Sequence, residues 1–248
     1  LATSGKVLSK IFKFFRLLNS SSIIKVVFIT LSLKKHICKK YLYDRKNFII
    51  LPDATEIQNH NIKIIKRKRL KIGYFGSINK SRGINLIADL ARLDNQNDYF
   101  IYGGTKEEIK ILKQEIRSKN ITLKSQVPYA LVKKEILKMD VLLMPYTKKA
   151  TTFGDFGNII KFMSPMKMFD YLGASKIILS ADIPVLREVL ISNYNSILVK
   201  NYMNVNSWKI IIDKIRFNPN KFLNIRKNAL KKTIKNNWNI RAKKMLSA

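Results

Sequence analysis

The chain has 248 residues, 46% of them hydrophobic, and a formal net charge of +32. This apolar content suffices for a packed core, which excludes a wholly disordered chain in spite of the charge. The single cysteine, Cys38, excludes an internal disulfide framework and indicates a reducing compartment, so we expect a cytoplasmic protein.

The first quarter of the chain predicts a few short elements followed by a linker. Apolar residues recur with helical spacing in residues 6–18, which fits either an outer helix of a domain or a helix on a membrane surface. No run approaches the ~18 uninterrupted apolar residues of a membrane-spanning helix. The chain starts with Leu1 and not with Met, so either a segment was removed or this is the C-terminal part of a longer product, and we treat the chain as truncated at its N-terminus. The other predicted elements are a strand at Ile23–Thr30, a basic helix at Leu33–Leu42 capped by Ser32, a strand at Asn47–Leu51 and a linker at 54–69.

From residue 70 onward, short strands rich in Ile, Val and Leu alternate with helices. The predicted strands are Leu70–Phe75, Tyr99–Tyr102, Ile121–Lys124, Val141–Met144, Lys176–Ser180 and Ser196–Val199. The predicted helices are Ile84–Leu93, Lys106–Arg117, Ala130–Met139, Lys167–Leu172 and Val185–Leu190, with two or three basic helices at the end.

This alternation predicts an α/β fold with a doubly wound parallel sheet. We expect three parts: residues 1–68, the remnant of an N-terminal lobe with its linker; residues 69–218, a Rossmann-like domain; and residues 219–248, basic helices. Ligands of such sheets bind at the carboxyl ends of the strands, which is where the glycine- and proline-containing loops fall.

The first candidate site is the sequence GYFGSINKSRG, from Gly73 to Gly83. It follows a strand and opens a helix, so its backbone N–H groups could hold an anion, and Arg82 could contact a phosphate. It matches neither the GxGxxG nor the GxxxxGK[ST] pattern, which argues against an NAD-binding site and against a P-loop. The alternative is a glycine turn beside a solvated arginine.

The second candidate site is TTFGDFGNIIKFMSPMKMFD, which ends at Asp170. Ser164 suits a helix cap and Pro165 a first-turn position. Lys167 and Asp170 are three residues apart on one helix face, among methionines and aromatic residues. The alternative to a ligand site is a surface ion pair of ~0.3 kcal/mol.

The rest of the sequence offers little other chemistry. His36 and His60 are the only histidines, and both lie in basic or linker sequence, so we expect no metal site and no cofactor. No Asp-x-Asp is present to hold a divalent ion on a diphosphate. No aromatic-basic motif matches a nucleic-acid-binding module, so nucleic acid is not the expected partner.

Positive charge is concentrated at both ends of the chain. Residues 1–50 contain eleven Lys and Arg against one acid, and residues 219–248 contain nine and no acid. A codon bias explains many lysines but not the shortage of Asp and Glu. We therefore expect an anionic partner, such as a phosphorylated substrate or an anionic membrane surface to which the protein attaches peripherally.

Five ordered blocks resemble the retaining, nucleotide-sugar-dependent glycosyltransferases of GT-B fold. Four belong to the C-terminal lobe: KIGYFGSINKSRGINLI, FIYGG, VPYALVKKEILKMDVLLMPY and KFMSPMKMFDYLGASKIILSADIPVLREVL. The fifth, VVFITLSLKKHICKKYLYDRKNFIILPDATE, resembles the end of the N-terminal lobe. The resemblance covers roughly residues 22–246 and implies a GT-B fold with a truncated N-terminal lobe.

The resemblance implies that the donor nucleotide sugar binds mainly to the C-terminal lobe. Arg82 and Lys167 would neutralise the diphosphate, Asp170 would bind the ribose hydroxyls, and these three would carry the reaction. The implied donor-binding residues are Gly76, Ser77, Arg82, Gly83, Val127, Tyr146, Gly154, Phe156, Gly157, Ser164, Pro165, Lys167 and Asp170.

The sequence departs from the family pattern at three positions. Many members have a basic residue where Ser77 stands, a glutamate where Phe162 stands, and a glutamate one methylene longer at Asp170. The implied function is a metal-independent, retaining transfer of a sugar to a glycan or lipid-linked acceptor. The alternatives are a glycosyltransferase lobe without activity and a non-enzymatic module that binds nucleic acid or other polyanions.

Overall fold

The structure is a computed structural model, and it describes residues 13, 16–18, 20–42, 44–56, 61–62, 64–151 and 158–247. Gly154, Phe156 and Gly157 lie outside these residues, as does most of the helix predicted at 6–18. In the part of the chain that is described, no helix is long and apolar enough to span a membrane.

The main unit is built on a six-stranded, wholly parallel sheet of order β5-β4-β3-β6-β7-β8. The order reverses between β3 and β6, which is the switch point of a doubly wound fold. The predicted α/β class is therefore confirmed. The strands are β3 (Lys71–Phe75), β4 (Asp98–Tyr102), β5 (Ile121–Lys124), β6 (Val141–Met144), β7 (Ile177–Ala181) and β8 (Ile197–Val199).

Helices cover the sheet, and their apolar faces close one continuous core with the buried strands. In this unit the helices are α2 (Ile84–Leu93), α3 (Lys106–Glu115), α4 (Tyr129–Leu137), α5 (Met166–Gly173), α6 (Val205–Phe217), α7 (Leu223–Ile234) and α8 (Trp238–Leu246). The segment predicted as a helix at Val185–Leu190 is instead a 3₁₀ helix, Pro184–Glu188. A short 3₁₀ turn, Lys80–Arg82, precedes α2.

A smaller unit precedes the sheet. Its two parallel strands are β1 (Val26–Phe28) and β2 (Phe48–Ile50), and α1 (Leu31–Tyr41) joins them. Phe28 and Phe48 pack together in its small core.

Helix α1 begins two residues before the predicted start, and Ser32 is not its cap. Thr30 caps it, with the hydroxyl accepting from the Leu33 N–H at 3.1 Å. The Glu188 carboxylate, from the main unit, accepts from the N–H groups of Leu31 at 2.6 Å and Ser32 at 2.9 Å. These donors are otherwise unpaired at a helix start, so the tertiary contact decides where α1 begins.

The segment that joins the two units lies against the C-terminal helices. Arg241, on α8, donates from Nε to the Pro52 carbonyl at 2.9 Å, and Thr55 forms a β-bridge with Asn237. The end of the chain therefore packs on the linker rather than on the sheet.

Candidate functional site

A cleft of about 1260 Å³ opens at the carboxyl ends of β3, β4 and β6. Such a cleft is the expected ligand site of a doubly wound sheet. Among the residues that line it are these from the predicted set: Gly76, Ser77, Arg82, Val127, Tyr146, Ser164, Pro165, Lys167 and Asp170. Gly83, which was also predicted, is not among the lining residues.

Two glycines bring the first loop close to its neighbours. Gly83 has φ 76°, and a Cβ there would come within 1.6 Å of the Pro145 carbonyl oxygen. Gly76 has φ 140°, and a Cβ there would stand 2.6 Å from Nζ of Lys167. Only glycine allows these approaches, which place Arg82 next to the end of β6 and Lys167 next to the loop after β3.

Lys167 places its amine deep in the cleft. The Nζ atom is buried and has no hydrogen-bond partner among the described residues, although the rest of the side chain is partly exposed. It lies 4.0 Å from the ring centroid of Tyr74 and 5.7 Å from that of Tyr146. Burial, and secondly the charge of Arg82, lower the pKa of Lys167 well below that of an ordinary lysine. The site therefore holds an amine without a counter-ion, and an anion bound beside it would favour the protonated form.

Arg82 is the second cation of the cleft. Its Nη2 donates to the Thr151 carbonyl at 3.1 Å, and its guanidinium lies 5.4 Å from the ring centroid of Tyr146. Its Nε is buried without a hydrogen-bond partner in the described residues. Burial raises the pKa of Tyr146 to about 12, and Arg82 opposes this rise. Tyr146 is therefore a neutral phenol between the two cations.

Helix α5 begins at the edge of the cleft. Pro165 is its N-cap and makes no side-chain capping bond, so the first N–H groups of α5 are not satisfied by a cap. Ser164 was predicted as the cap and is not. Its Oγ is buried and has no partner in the described part of the chain, because the residue lies one position before the cap. A helix start of this kind favours an anion.

Asp170 lies on the same helix, but its environment is different. It is 6% exposed, and its Oδ1 accepts from Thr55 Oγ1 at 2.8 Å and from the Tyr129 hydroxyl at 2.6 Å. No ion pair with Lys167 is formed among the described residues, so the alternative of a surface ion pair is wrong.

The opposite wall of the cleft comes from the smaller unit and is apolar. It includes Ile29 and Leu33. The Phe162 ring lies 4.3 Å from the His36 ring between centroids. The Phe162 carbonyl accepts from Thr30 Oγ1 at 3.2 Å. Phe162 therefore joins the two units instead of offering a carboxylate to the cleft.

Three site residues were not predicted from the sequence: Tyr74, Tyr129 and Thr55. The Tyr74 ring contacts Lys167, and its hydroxyl donates to the Ser77 carbonyl at 2.6 Å. The position of Tyr74, one residue before the end of a buried strand, is the sequence signal that could have identified it as a site residue. Thr55 had no signal in the sequence, because it lies 115 positions from Asp170.

In the described residues, no three His, Cys, Asp or Glu side chains come together in a way that could hold a metal ion. Four charged side chains of the described residues line the cleft: Arg82, Lys167, Glu108 and Asp170. The Glu108 carboxylate accepts from the Thr105 N–H in the capping box of α3, so Arg82, Lys167 and Asp170 are the charged groups left for a ligand. Together with the start of α5, they can bind a dianion or trianion and, beside it, hydroxyl groups.

Comparisons with known proteins come from structures alone, since no family model and no curated protein matches the chain. A glycosyltransferase from Rickettsia africae ESF-5 aligns with TM-score 0.71 and 13% identity, over 94% of this chain and 65% of its own. S. aureus TarM, in complex with fondaparinux, alpha-GlcNAc-glycerol and UDP, aligns with TM-score 0.69 and 17% identity, over 92% of this chain and 44% of its own. HepE from Anabaena, in complex with UDP-glucose, aligns with TM-score 0.66 and 13% identity, over 91% and 64%.

These likenesses show the fold. The chain has the Rossmann-like architecture of GT-B glycosyltransferases, and it spans 44 to 65% of the length of these three structures.

Proposed function

We propose that the chain is the donor-binding part of a glycosyltransferase that uses a nucleotide sugar. The observation that carries this proposal is the pair of cations, Lys167 and Arg82, with buried nitrogen atoms that lack partners in the described residues. A buried donor nitrogen without a partner is costly, so a protein that keeps one on each of two cationic side chains in the same cleft is built to receive an anion. The similarity to structures that contain UDP or UDP-glucose supports a nucleoside diphosphate as that anion.

The residues have separate roles in this proposal. Lys167, Arg82 and the start of α5 at Ser164 and Pro165 bind the diphosphate. Asp170 binds the ribose hydroxyls. The backbone at Gly76, Ser77 and Gly83 shapes the phosphate loop, Val127 borders the nucleobase, and Tyr146 separates the cations. Contact with the donor sugar is assigned by the sequence resemblance alone to Gly154, Phe156 and Gly157, which lie outside the described residues.

The reaction needs little else from this lobe. As the bond between the anomeric carbon and the phosphate oxygen breaks, the electron pair goes to the departing diphosphate. Lys167 and Arg82 stabilise that growing charge without a metal ion. A phosphate oxygen then takes the proton of the acceptor hydroxyl, which adds to the same face of the sugar, so the configuration is retained. Retention and metal independence are both part of the proposal.

The acceptor is proposed to be a glycan or a lipid-linked molecule. WaaG, another similar structure, is a glycosyltransferase involved in lipopolysaccharide biosynthesis. The excess of Lys and Arg at both ends of this chain suits an acceptor on an anionic membrane surface. The chain spans 44 to 65% of the length of the three similar structures reported above. The proposal for the acceptor therefore depends on the positive charge of the chain and on its likeness in fold to these structures.

Equilibrium binding tests the proposal. The chain should bind at least one of UDP, GDP and ADP, and Arg82→Ala and Lys167→Ala should weaken this binding at least tenfold. Arg92→Ala and Lys110→Ala are matched controls on exposed helix surfaces and should bind like the wild type. If no diphosphate binds, or if all four variants behave alike, the proposal is wrong. A polyanion-binding module would instead show steeply salt-dependent binding of DNA or RNA that free diphosphates do not compete away.

An inactive donor lobe is the second candidate, and the contact of Phe162 with His36 favours it. A family carboxylate is absent where that ring packs. Such a lobe would bind the nucleotide but would transfer no sugar when it is joined to a complete acceptor lobe. Measuring donor turnover in that joined protein separates the two candidates.

A further inference from the structure

Three segments that are distant in sequence meet behind the cleft. They are the linker at Thr55, the start of α4 at Tyr129 and the middle of α5 at Asp170. Both hydroxyl groups donate to the same carboxylate oxygen, Oδ1, at 2.8 Å from Thr55 and 2.6 Å from Tyr129. Thr55 is 2% exposed and Asp170 is 6% exposed, so the bond from Thr55 is shielded from bulk water, whereas the bond from Tyr129 is part-buried.

The linker is pressed directly onto α5 at this point. A Cβ on Gly173 would stand 2.9 Å from Thr55 Cγ2 and 3.0 Å from the Glu56 carbonyl oxygen. Gly173 lies three residues after Asp170 and therefore on the same face of the helix. Its missing side chain lets the linker come close enough for the Thr55 hydroxyl to reach Asp170.

A second contact holds the linker to α4. Lys133 pairs with Glu56 of the linker, and its Nζ lies 4.7 Å from the ring centroid of Tyr129. The Tyr129 ring is thus fixed at its face by a cation and at its hydroxyl by Asp170. Burial, and secondly the hydrogen bond to Asp170, raise the pKa of Tyr129, so its hydroxyl stays protonated and donates.

The two hydroxyl groups leave the other carboxylate oxygen to the cleft. Asp170 borders the cleft, and no hydrogen bond to its Oδ2 is formed by the described residues. A carboxylate held at one oxygen needs no reorientation before the other oxygen binds a ligand hydroxyl. This matters more for an aspartate than for a longer glutamate, since its reach is shorter.

We infer that Thr55 and Tyr129 are positioning residues that aim Oδ2 of Asp170 at the ribose hydroxyls of the bound nucleotide. Because Thr55 belongs to the linker between the two units, the linker conformation sets how well the site recognises ribose. This inference rests on the proposed function and adds two residues to its site.

The test compares a nucleotide with its analogue that lacks the 2′ and 3′ hydroxyl groups of the ribose. The tightest binder among UDP, GDP and ADP is measured against its 2′,3′-dideoxy counterpart by calorimetry. The wild type should prefer the ribonucleotide about tenfold, the size expected for hydrogen bonds to a charged group. Thr55→Val and Tyr129→Phe should each reduce this preference to about twofold, with unchanged affinity for the dideoxy compound. Thr55→Ser keeps the hydroxyl and should restore the preference.

Three outcomes would overturn the inference. The preference could stay at about tenfold in Thr55→Val and Tyr129→Phe. Both nucleotides could instead weaken by the same factor, which would show a structural role alone, with melting curves reporting the loss of fold. The wild type could bind diphosphates without any preference for ribose, which leaves the diphosphate site intact but removes the role of Asp170. If the wild type binds none of the three diphosphates, the proposed function fails and this inference with it.

Discussion

The cleft has two halves, and their charged groups differ in whether other residues hydrogen-bond to them. The cations, Lys167 and Arg82, keep nitrogen atoms without partners, whereas the carboxylate of Asp170 is held by two hydroxyl groups from distant segments. The first half is incomplete until an anion arrives, and the second is assembled during folding. We therefore propose that the cations supply the affinity for the ligand and that the carboxylate supplies selectivity.

The largest effect on nucleotide binding is expected when Arg82 is replaced. Arg82→Met should weaken binding of the preferred nucleoside diphosphate about 100-fold, since a charge-assisted contact to phosphate is lost. Calorimetry measures this change. Arg92→Met, in an exposed ion pair, is the control and should bind like the wild type. A change of less than threefold in Arg82→Met would place the anion elsewhere.

Removing the lysine should separate binding from stability. Lys167→Met should weaken diphosphate binding about 10- to 30-fold. It should also raise the free energy of unfolding of the nucleotide-free chain by about 1 to 2 kcal/mol, because a buried amine without a counter-ion is replaced by an apolar group. Urea unfolding measures the second effect, with Lys110→Met as an exposed control. A destabilised Lys167→Met would mean that the amine already has a partner.

The carboxylate half should respond more weakly. Asp170→Asn keeps the oxygen that accepts from Thr55 and Tyr129, so the free energy of unfolding should change by less than about 1 kcal/mol. Nucleotide affinity should fall about fivefold, since the charge toward the ribose is lost. If Asp170→Asn lost as much nucleotide affinity as Arg82→Met, the two halves of the cleft would not differ in their contribution to affinity.

The smallest effect is that of pH, and its sign follows from Lys167. Its pKa is lowered in the folded protein, so the unfolded chain binds more protons between that value and the ordinary lysine value of about 10.4. Stability should therefore rise with pH across this window. The affinity for diphosphate should fall by a few-fold over the same range, because the anion prefers the protonated amine. In Lys167→Met, the pH dependence of stability and the pH dependence of diphosphate affinity should both become weaker. Equal pH dependence in Lys167→Met and in the wild type would contradict the account.

The sequence predicts the sheet and the cleft because both depend on local signals. Alternating strands and helices set the doubly wound fold, and the loops with Gly76 and Pro165 fall at the carboxyl ends by topology. The partners of Asp170 could not be predicted, because Thr55 lies 115 positions away and nothing in its neighbourhood marks it. Ser164 was assigned as a cap on composition alone, and the helix begins one residue too late for it. The early start of α1 depends on Glu188, a tertiary contact 156 residues away from Ser32.

The central claim is that the two cations await a diphosphate, and comparing a nucleoside diphosphate with its monophosphate tests it most directly. The wild type should bind the preferred diphosphate at least tenfold more tightly than the matching monophosphate, and Lys167→Met should lose most of that preference while it still binds the monophosphate. Equal affinity of the wild type for the two nucleotides, or an unchanged preference in Lys167→Met, would contradict the claim.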